Sequence, residues 1–136
     1  MDGDQGKILL VDDSWSVLER LRASLSPKGY SIRLATTPSE ATKLTTWAEL
    51  VVVDFHMPGM DGGKLLPLLR TGAPKALFYL YTSDGDVGRT FDTLGFDGAF
   101  LRKGDDLALM PQIDAAFRTI KLRTLAAQLR STRPKI

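Results

Sequence analysis

The sequence predicts an α/β fold in which a single five-stranded parallel sheet is doubly wound, with helices on both faces. Five short apolar runs alternate along the chain with five segments whose apolar residues recur at helical spacing. The central run, residues 51–53, is all valine and has no polar alternation, which is typical of a strand buried on both faces. Right-handed crossovers join such strands, so functional side chains are expected at their carboxyl ends.

The five predicted strands are short, apolar and bounded by polar or turn-forming residues. They cover residues 7–11, 32–35, 51–53, 76–81 and 98–102. Each is followed by a helical pattern, and this alternation favours crossover connections over hairpins. We therefore expect five parallel strands in one domain.

The predicted helices carry recognisable start and stop signals. Ser14 is a candidate N-cap for the first helix, and Pro38 is expected to open a second helix that reaches Trp47. The third helix contains Pro67, which must lie near its first turn or kink it. A weak fourth helix over residues 86–94 is expected to be short and mobile.

The last helical segment is expected to start with a turn at Asp105 or Asp106, after which Pro111 begins the main helix. One apolar stripe on it is formed by Ile113, Ala116, Phe117 and Ile120. A second set, rotated partly off that stripe, extends the helix further than the fold needs; it comprises Leu122, Leu125 and Leu129.

Composition and charge limit the class of protein. The chain has 136 residues, 43% of them hydrophobic, which fits one globular domain, and no apolar run approaches a membrane span. The absence of cysteine excludes disulfides and thiolate metal sites, and we expect a cytoplasmic protein. Residues 1–114 carry a net charge of −4 and residues 115–136 carry +6. A solvated helix face explains this basic end better than a binding surface does.

Polar side chains stand at four of the predicted strand ends. They are Asp12 and Asp13, Asp54, Thr82 with Ser83, and Lys103. Taken alone, Asp54 could merely cap the next turn, but clustered carboxylates need a cation to remain ionised. Oxygen ligands suit a hard ion such as Mg²⁺, and a hydroxyl and an ammonium can hold phosphoryl oxygens. The set therefore predicts transfer of a phosphoryl group to a carboxylate.

These residues resemble the receiver domain of two-component response regulators, the CheY-like family. The resemblance rests on four motifs in the family's order: Leu9-Leu10-Val11-Asp12-Asp13-Ser14, Val53-Asp54-Phe55-His56-Met57-Pro58-Gly59-Met60-Asp61-Gly62, Thr82-Ser83 and Phe100-Leu101-Arg102-Lys103. It implies a flavodoxin-like sheet with strand order 2-1-3-4-5. The expected organisation is a disordered tail at residues 1–6, a receiver domain at 7–121, and a basic helix extension and tail at 122–136.

The resemblance implies a role for each site residue. Asp54 would accept the phosphoryl group from a sensor histidine kinase, a phosphotransfer protein or a small phosphodonor. Thr82 would be the switch hydroxyl, Lys103 the site cation, and Phe100 the rotameric aromatic. The chain would catalyse its own phosphorylation and slow dephosphorylation without being an enzyme in the usual sense.

The resemblance also implies a metal site. Mg²⁺, or Mn²⁺ in its place, would be bound by Asp13 directly, by Asp12 directly or through water, by Asp54 and by the backbone carbonyl of His56. As a side chain, His56 is better explained as an exposed loop residue than as one that tunes water access to the site.

Three residues depart from the family pattern. Gly104 stands where the family usually has proline, so the Lys103 loop is expected to be trans or remodelled. Ser83 replaces the usual alanine, and Phe100 lacks the hydroxyl of a switch tyrosine.

The leading hypothesis is a receiver that switches protein–protein interactions when phosphorylated. The alternative is a phosphate-independent interaction or dimerisation module. A haloacid-dehalogenase phosphatase would need Asp at position 56, where His56 stands. The downstream protein target is unknown and a homodimer is left open. No membrane partner is expected, because no apolar run approaches the length of a span, and no nucleic-acid partner is expected, because residues 122–136 are too few for a recognition domain.

Overall fold

The chain forms a five-stranded parallel sheet in the order β2-β1-β3-β4-β5. The computed structural model describes residues 6–57, 59, 61–100 and 105–131. The strands are β1 (Gly6–Val11), β2 (Tyr30–Ala35), β3 (Leu50–Asp54), β4 (Leu77–Tyr81) and β5 (Gly98–Phe100). The helices are α1 (Trp15–Leu25), α2 (Pro38–Leu44), α3 (Gly62–Gly72), α4 (Gly85–Arg89) and α5 (Asp106–Ser131). The predicted fold class and strand order are confirmed.

Two apolar clusters cover the two faces of the sheet. Because side chains alternate along a strand, Val51 and Val53 point to one face and Leu50 and Val52 to the other. Helices α2 and α3 pack on the first face, and α1 and α5 pack on the second. All five residues of β3 are buried, as the valine run predicts. Because both faces of β3 are buried, its register in the sheet is fixed, and this register places Asp54 at the carboxyl end of the strand.

The starts of the first two helices are set by side-chain caps. Ser14 accepts a hydrogen bond from the Val17 N–H at 3.4 Å, so the predicted cap of α1 is confirmed. Thr37 caps α2 by accepting from the Glu40 N–H at 3.2 Å, and Pro38 takes the first helical position. The prediction that α2 reaches Trp47 is wrong, because the chain tightens into a 3₁₀ turn after Leu44.

Proline lies inside two of the longer helices. Pro67 is the sixth residue of α3, and Pro111 is the sixth residue of α5. The prediction that Pro111 begins the last helix is therefore wrong: α5 begins at Asp106, after Asp105 accepts the Ala108 N–H at 3.1 Å. The missing N–H of Pro111 deprives only the Leu107 carbonyl, on a residue that is 86% exposed and open to water.

The connection between β4 and β5 contains little regular structure. Helix α4 has only five residues, so the expectation of a short helix is confirmed, but it ends at Arg89 and does not reach Leu94, and its mobility stays a prediction. Strand β5 is described as far as Phe100, and its predicted continuation through Arg102 lies outside the described residues.

Candidate functional site

Three carboxylates meet at the carboxyl ends of β1 and β3. Val11 is paired with Val53, so the residues that follow them, Asp12 and Asp54, lie side by side at the carboxyl ends of the two strands. One oxygen from each of Asp12, Asp13 and Asp54 lies within 4.8 Å of the other two. Asp12 and Asp54 are buried, whereas Asp13 is exposed. The cluster thus has two shielded members and one that opens to solvent.

Backbone groups hold the two buried carboxylates in place. The Ser14 N–H donates to Asp12 Oδ1 at 2.9 Å, and the His56 N–H donates to Asp54 Oδ1 at 3.4 Å. The two ends of the loop between β3 and α3 are joined by a hydrogen bond, in which the Gly62 N–H donates to the Phe55 carbonyl at 2.7 Å. These short-range bonds help to fix the positions of the two carboxylates.

A side chain would be crowded where α3 begins against the end of β3. A Cβ on Gly62 would lie 3.0 Å from the Asp54 carbonyl oxygen and 3.1 Å from the Phe55 Cα. Both contacts are with backbone atoms that cannot rotate away. The close approach of α3 to Asp54 therefore depends on the missing side chain.

The cluster has the donor chemistry of a hard divalent cation. Three like charges at this separation repel one another, and a bound cation removes that cost. Carboxylate oxygens are the ligands that Mg²⁺ prefers, together with water and a phosphate oxygen. Asp12, Asp13 and Asp54 are the residues that could hold such an ion.

Thr82 directly follows β4, the strand that pairs with the strand of Asp54. Tyr81 is paired with Asp54 in the sheet, and Thr82 follows directly. The Thr82 hydroxyl is buried and accepts a hydrogen bond from the Asp84 N–H at 3.0 Å, while the Thr82 N–H donates to the Phe100 carbonyl at 3.0 Å. The hydroxyl is thus positioned at the same edge as the carboxylates.

Asp84 links two loops at the rim of the site, a role that the sequence analysis missed. Its Oδ2 lies 3.6 Å from Nε2 of His56, whose side chain is 65% exposed. Its Oδ1 accepts from the N–H groups of Val87 and Asp86. These backbone bonds, the Val87 bond first, outweigh the effect of burial and lower the pKa of Asp84, with His56 adding to the shift. An Asp directly before Gly85 is an N-cap signal that could have identified it.

Two further predicted site residues, Phe100 and Lys103, are not part of the acidic cluster that the structure describes. Phe100 is buried at 1% exposure, and its ring centre lies 4.8 Å from that of Tyr79. Lys103 and Gly104 lie outside the described residues. The structure therefore brings together Asp12, Asp13 and Asp54, with Thr82 directly after the adjacent strand β4.

In a doubly wound sheet, ligands bind at the carboxyl ends of the strands, which is where this acidic cluster lies. The sequence model described as "Response regulator receiver domain" matches residues 8–106. The chain therefore belongs to the receiver domain family of two-component response regulators, which accept phosphoryl groups in signal transduction. Nothing in these comparisons supports a phosphate-independent module.

Individual relatives agree with this family. The response regulator protein FleR of Pseudomonas aeruginosa (strain PAO1) is 36% identical over 91 residues, covering 65% of this chain and 19% of FleR. The crystal structure of the signal receiver domain of an HD domain-containing protein from Pseudomonas fluorescens Pf-5 superposes with a TM-score of 0.76 at 27% identity, covering 88% of this chain and 91% of that one.

A second solved structure shares the fold. It is the CheY-like response regulator receiver domain protein from Methanospirillum hungatei JF-1, with a TM-score of 0.78 at 20% identity, covering 87% of this chain and 98% of that one. The chain spans only 19% to 29% of the length of the first curated relatives it matches. Among the described residues, no helix is both long and apolar enough to cross a membrane.

Proposed function

We propose that Asp54 is the phosphoryl acceptor of this receiver domain. The observation that carries the proposal is its carboxylate, 5% exposed, at the end of the central strand and within 4.8 Å of two further carboxylate oxygens. A carboxylate held at the carboxyl end of the sheet can attack a phosphorus atom only from its solvent side, with the donor's leaving group departing in line on the far side. Positioning and charge neutralisation then supply most of the rate, because phosphoryl transfer needs little covalent help from the protein.

Asp12, Asp13 and the His56 backbone carbonyl are proposed to hold Mg²⁺, or Mn²⁺ in its place, together with Asp54. When bound, the ion neutralises phosphoryl oxygens and draws the incoming group towards the cluster. The protein's own contribution is geometric. The Ser14 N–H fixes Asp12, and exposed Asp13 leaves the entry side open to water and to the donor.

Thr82 and Lys103 are proposed to bind the transferred group. The Thr82 hydroxyl can donate to a phosphoryl oxygen after it turns, and Lys103 supplies a positive charge. Phe100 is proposed to move with Thr82, an idea supported by the hydrogen bond from the Thr82 N–H to the Phe100 carbonyl. Attack of water on the phosphoryl group would return the domain to its resting state.

The proposed phosphodonor is a sensor histidine kinase or a phosphotransfer protein, and the proposed output is a changed contact with a downstream protein. Family membership supports both partners and a cytoplasmic setting. The identity of the target depends on surfaces outside the acidic cluster.

The proposal is tested by mass spectrometry of the intact protein after incubation with Mg²⁺ and acetyl phosphate. The wild-type chain should gain one phosphoryl group, and Asp54→Asn should gain none. Asp61→Asn is the matched control, because it neutralises a carboxylate in the same loop while asparagine can keep the cap on the Lys64 N–H. An adduct that persists in Asp54→Asn, or a wild-type chain that stays unmodified, would overturn the proposal.

A further inference from the structure

A basic cleft lies between the turn after α1 and one flank of α5, at the end of the sheet opposite the acidic cluster. Its volume is about 330 Å³, and it is lined by Lys28, Tyr30, Asp114, Phe117, Arg118 and Lys121. Tyr30 is the first residue of β2, and Ala35, the last, pairs with Val11 directly before Asp12. Five residues of strand, or about 17 Å, therefore separate the cleft from the acidic cluster.

Two packed aromatic rings form the floor of the basic cleft. The ring centres of Tyr30 and Phe117 lie 5.0 Å apart, and each residue is 5% exposed. A Cβ on Gly6 would collide with the Phe117 ring, so that ring is held from the side of β1 as well. Because close-packed buried rings leave little room for collapse, we expect the cleft to be formed before a ligand arrives.

Three cationic side chains reach the basic cleft from two separate elements. Lys28 comes from the 3₁₀ turn that follows α1. Arg118 and Lys121 come from α5, where their spacing of three residues places them on one face of the helix. The sequence alone favours a solvated helix face for this charge, but here two of the basic residues of α5 share a cleft with a lysine from elsewhere.

The three cations of the basic cleft are not neutralised by the domain. None of them forms an ion pair with a carboxylate of the described residues, Asp114 included. Four other arginines in the described part of the chain do form ion pairs: Arg20 with Asp106, Arg22 with Glu19, Arg70 with Asp97 and Arg89 with Asp86. The positive charge of the cleft is therefore available to a ligand.

Asp114 gives the basic cleft one hydrogen-bond acceptor of defined orientation. The Tyr30 hydroxyl donates to Asp114 Oδ1. Burial, joined by this bond, raises the pKa of Tyr30, so the hydroxyl keeps its proton and remains a donor at neutral pH. Asp114 Oδ2 receives no hydrogen bond from any described residue, and it can accept one from a ligand hydroxyl.

We propose that the basic cleft binds a phosphate monoester of a small hydroxylated compound, such as a sugar phosphate. Three positive charges and one negative charge leave a net charge of +2, which matches the charge of up to about −2 on a phosphate monoester at neutral pH. Arg118 can contact two phosphoryl oxygens with its planar guanidinium, and Lys28 and Lys121 add point charges. A ligand hydroxyl would donate to Asp114 Oδ2. The volume is at the lower end for ligand pockets, which favours a small molecule over a macromolecule.

Isothermal titration calorimetry of the full chain with ribose 5-phosphate, without Mg²⁺, tests the proposal. We expect a dissociation constant on the order of 100 µM, no binding of free ribose, and binding of inorganic phosphate that is weaker by about threefold or more, because phosphate lacks the hydroxyl contact. Asp54→Asn should bind ribose 5-phosphate as the wild-type chain does. No binding at about 5 mM, equal affinity for inorganic phosphate, or altered binding in Asp54→Asn would overturn the proposal.

Two arginines of α5 provide a matched pair of variants. Arg118→Gln and Arg123→Gln each remove one exposed charge, but only Arg118 lines the basic cleft. Arg118→Gln should raise the dissociation constant about tenfold, and Arg123→Gln should change it less than about twofold. Equal losses would indicate diffuse attraction to the basic end and refute the site. A chain that binds a DNA duplex more tightly than ribose 5-phosphate, and equally weakly in both variants, would assign these charges to nucleic acid and also refute it.

Asp114→Asn tests the hydroxyl contact separately from the charge. Asparagine can still accept from the Tyr30 hydroxyl, but it presents an N–H group where Asp114 Oδ2 stood. Inorganic phosphate should then bind about two- to threefold more tightly, because one negative charge has left the basic cleft. The preference for ribose 5-phosphate over inorganic phosphate should disappear. Weaker binding of inorganic phosphate, or an unchanged preference, would contradict the role of Asp114 in the proposal.

Discussion

Gly62 and Gly63 are adjacent glycines in the first turn of α3, and the structure predicts opposite effects of replacing them by alanine. A Cβ at position 62 would press on the Asp54 carbonyl oxygen at 3.0 Å and the Phe55 Cα at 3.1 Å. A Cβ at position 63 would meet only side-chain atoms, of which the nearest is Asp61 Oδ1 at 3.3 Å. Backbone must move in the first case, whereas in the second the Asp61 carboxylate, which caps the Lys64 N–H, need shift only by a few tenths of an ångström.

The size of each effect follows from two terms. Alanine in a helix gains up to about 1 kcal/mol over glycine through propensity and reduced freedom of the unfolded chain. Overpacking against fixed atoms costs about 1–3 kcal/mol. Gly62→Ala should therefore lower the free energy of unfolding by about 1–2 kcal/mol, whereas Gly63→Ala should leave it unchanged or raise it by up to about 1 kcal/mol.

Urea unfolding followed by tryptophan fluorescence measures this difference, and the acetyl phosphate reaction measures its effect on the site. Because the strain at Gly62 acts on the end of β3, Gly62→Ala should also slow phosphorylation of Asp54, and Gly63→Ala should not. If Gly62→Ala were as stable as Gly63→Ala and reacted at the wild-type rate, the close approach of α3 to Asp54 would not control the site.

Two further predictions concern hydrogen bonds away from the site. Asp97→Ala removes the acceptor of the Phe78 N–H at 2.8 Å and should cost about 1–3 kcal/mol in urea unfolding, whereas exposed Asp92→Ala in the same connection should cost little. Burial, joined by the bond to Asp114, raises the pKa of Tyr30 above its ordinary 10.0. The folded chain then keeps a proton that the unfolded chain releases, so stability should fall as pH rises above 10. Asp114→Asn should weaken that fall, and an unchanged slope would contradict it.

The sheet was predictable because its signals are local. The valine run before Asp54 identifies a strand buried on both faces, and Ser14 has the form of a helix cap. The behaviour of Pro111 was not predictable, because it depends on whether the residue four positions earlier is exposed. Leu107 is exposed, and α5 continues through the proline. Tertiary context decided this boundary.

The acidic cluster was predictable for a related reason. Asp12 and Asp54 each follow an apolar run, and in a parallel sheet the carboxyl ends of neighbouring strands lie on the same side. The contact between His56 and Asp84 was not predictable, because it joins two loops that are adjacent only in space. The exposure of Leu122, Leu125 and Leu129, by contrast, was predictable from helical periodicity, which places them off the buried stripe.

The hydrogen bond from the Asp84 N–H to the Thr82 hydroxyl gives the site a thermodynamic link to α4. The same residue caps α4 by accepting from Asp86 and Val87, so a turn of the Thr82 hydroxyl breaks a bond in the segment that begins the helix. Such a bond contributes about 0.5–1.5 kcal/mol. Coupling of this kind is reciprocal. A protein that binds α4 and displaces its first turn would therefore change the affinity for ligands at Thr82 by the same factor that those ligands change its own binding.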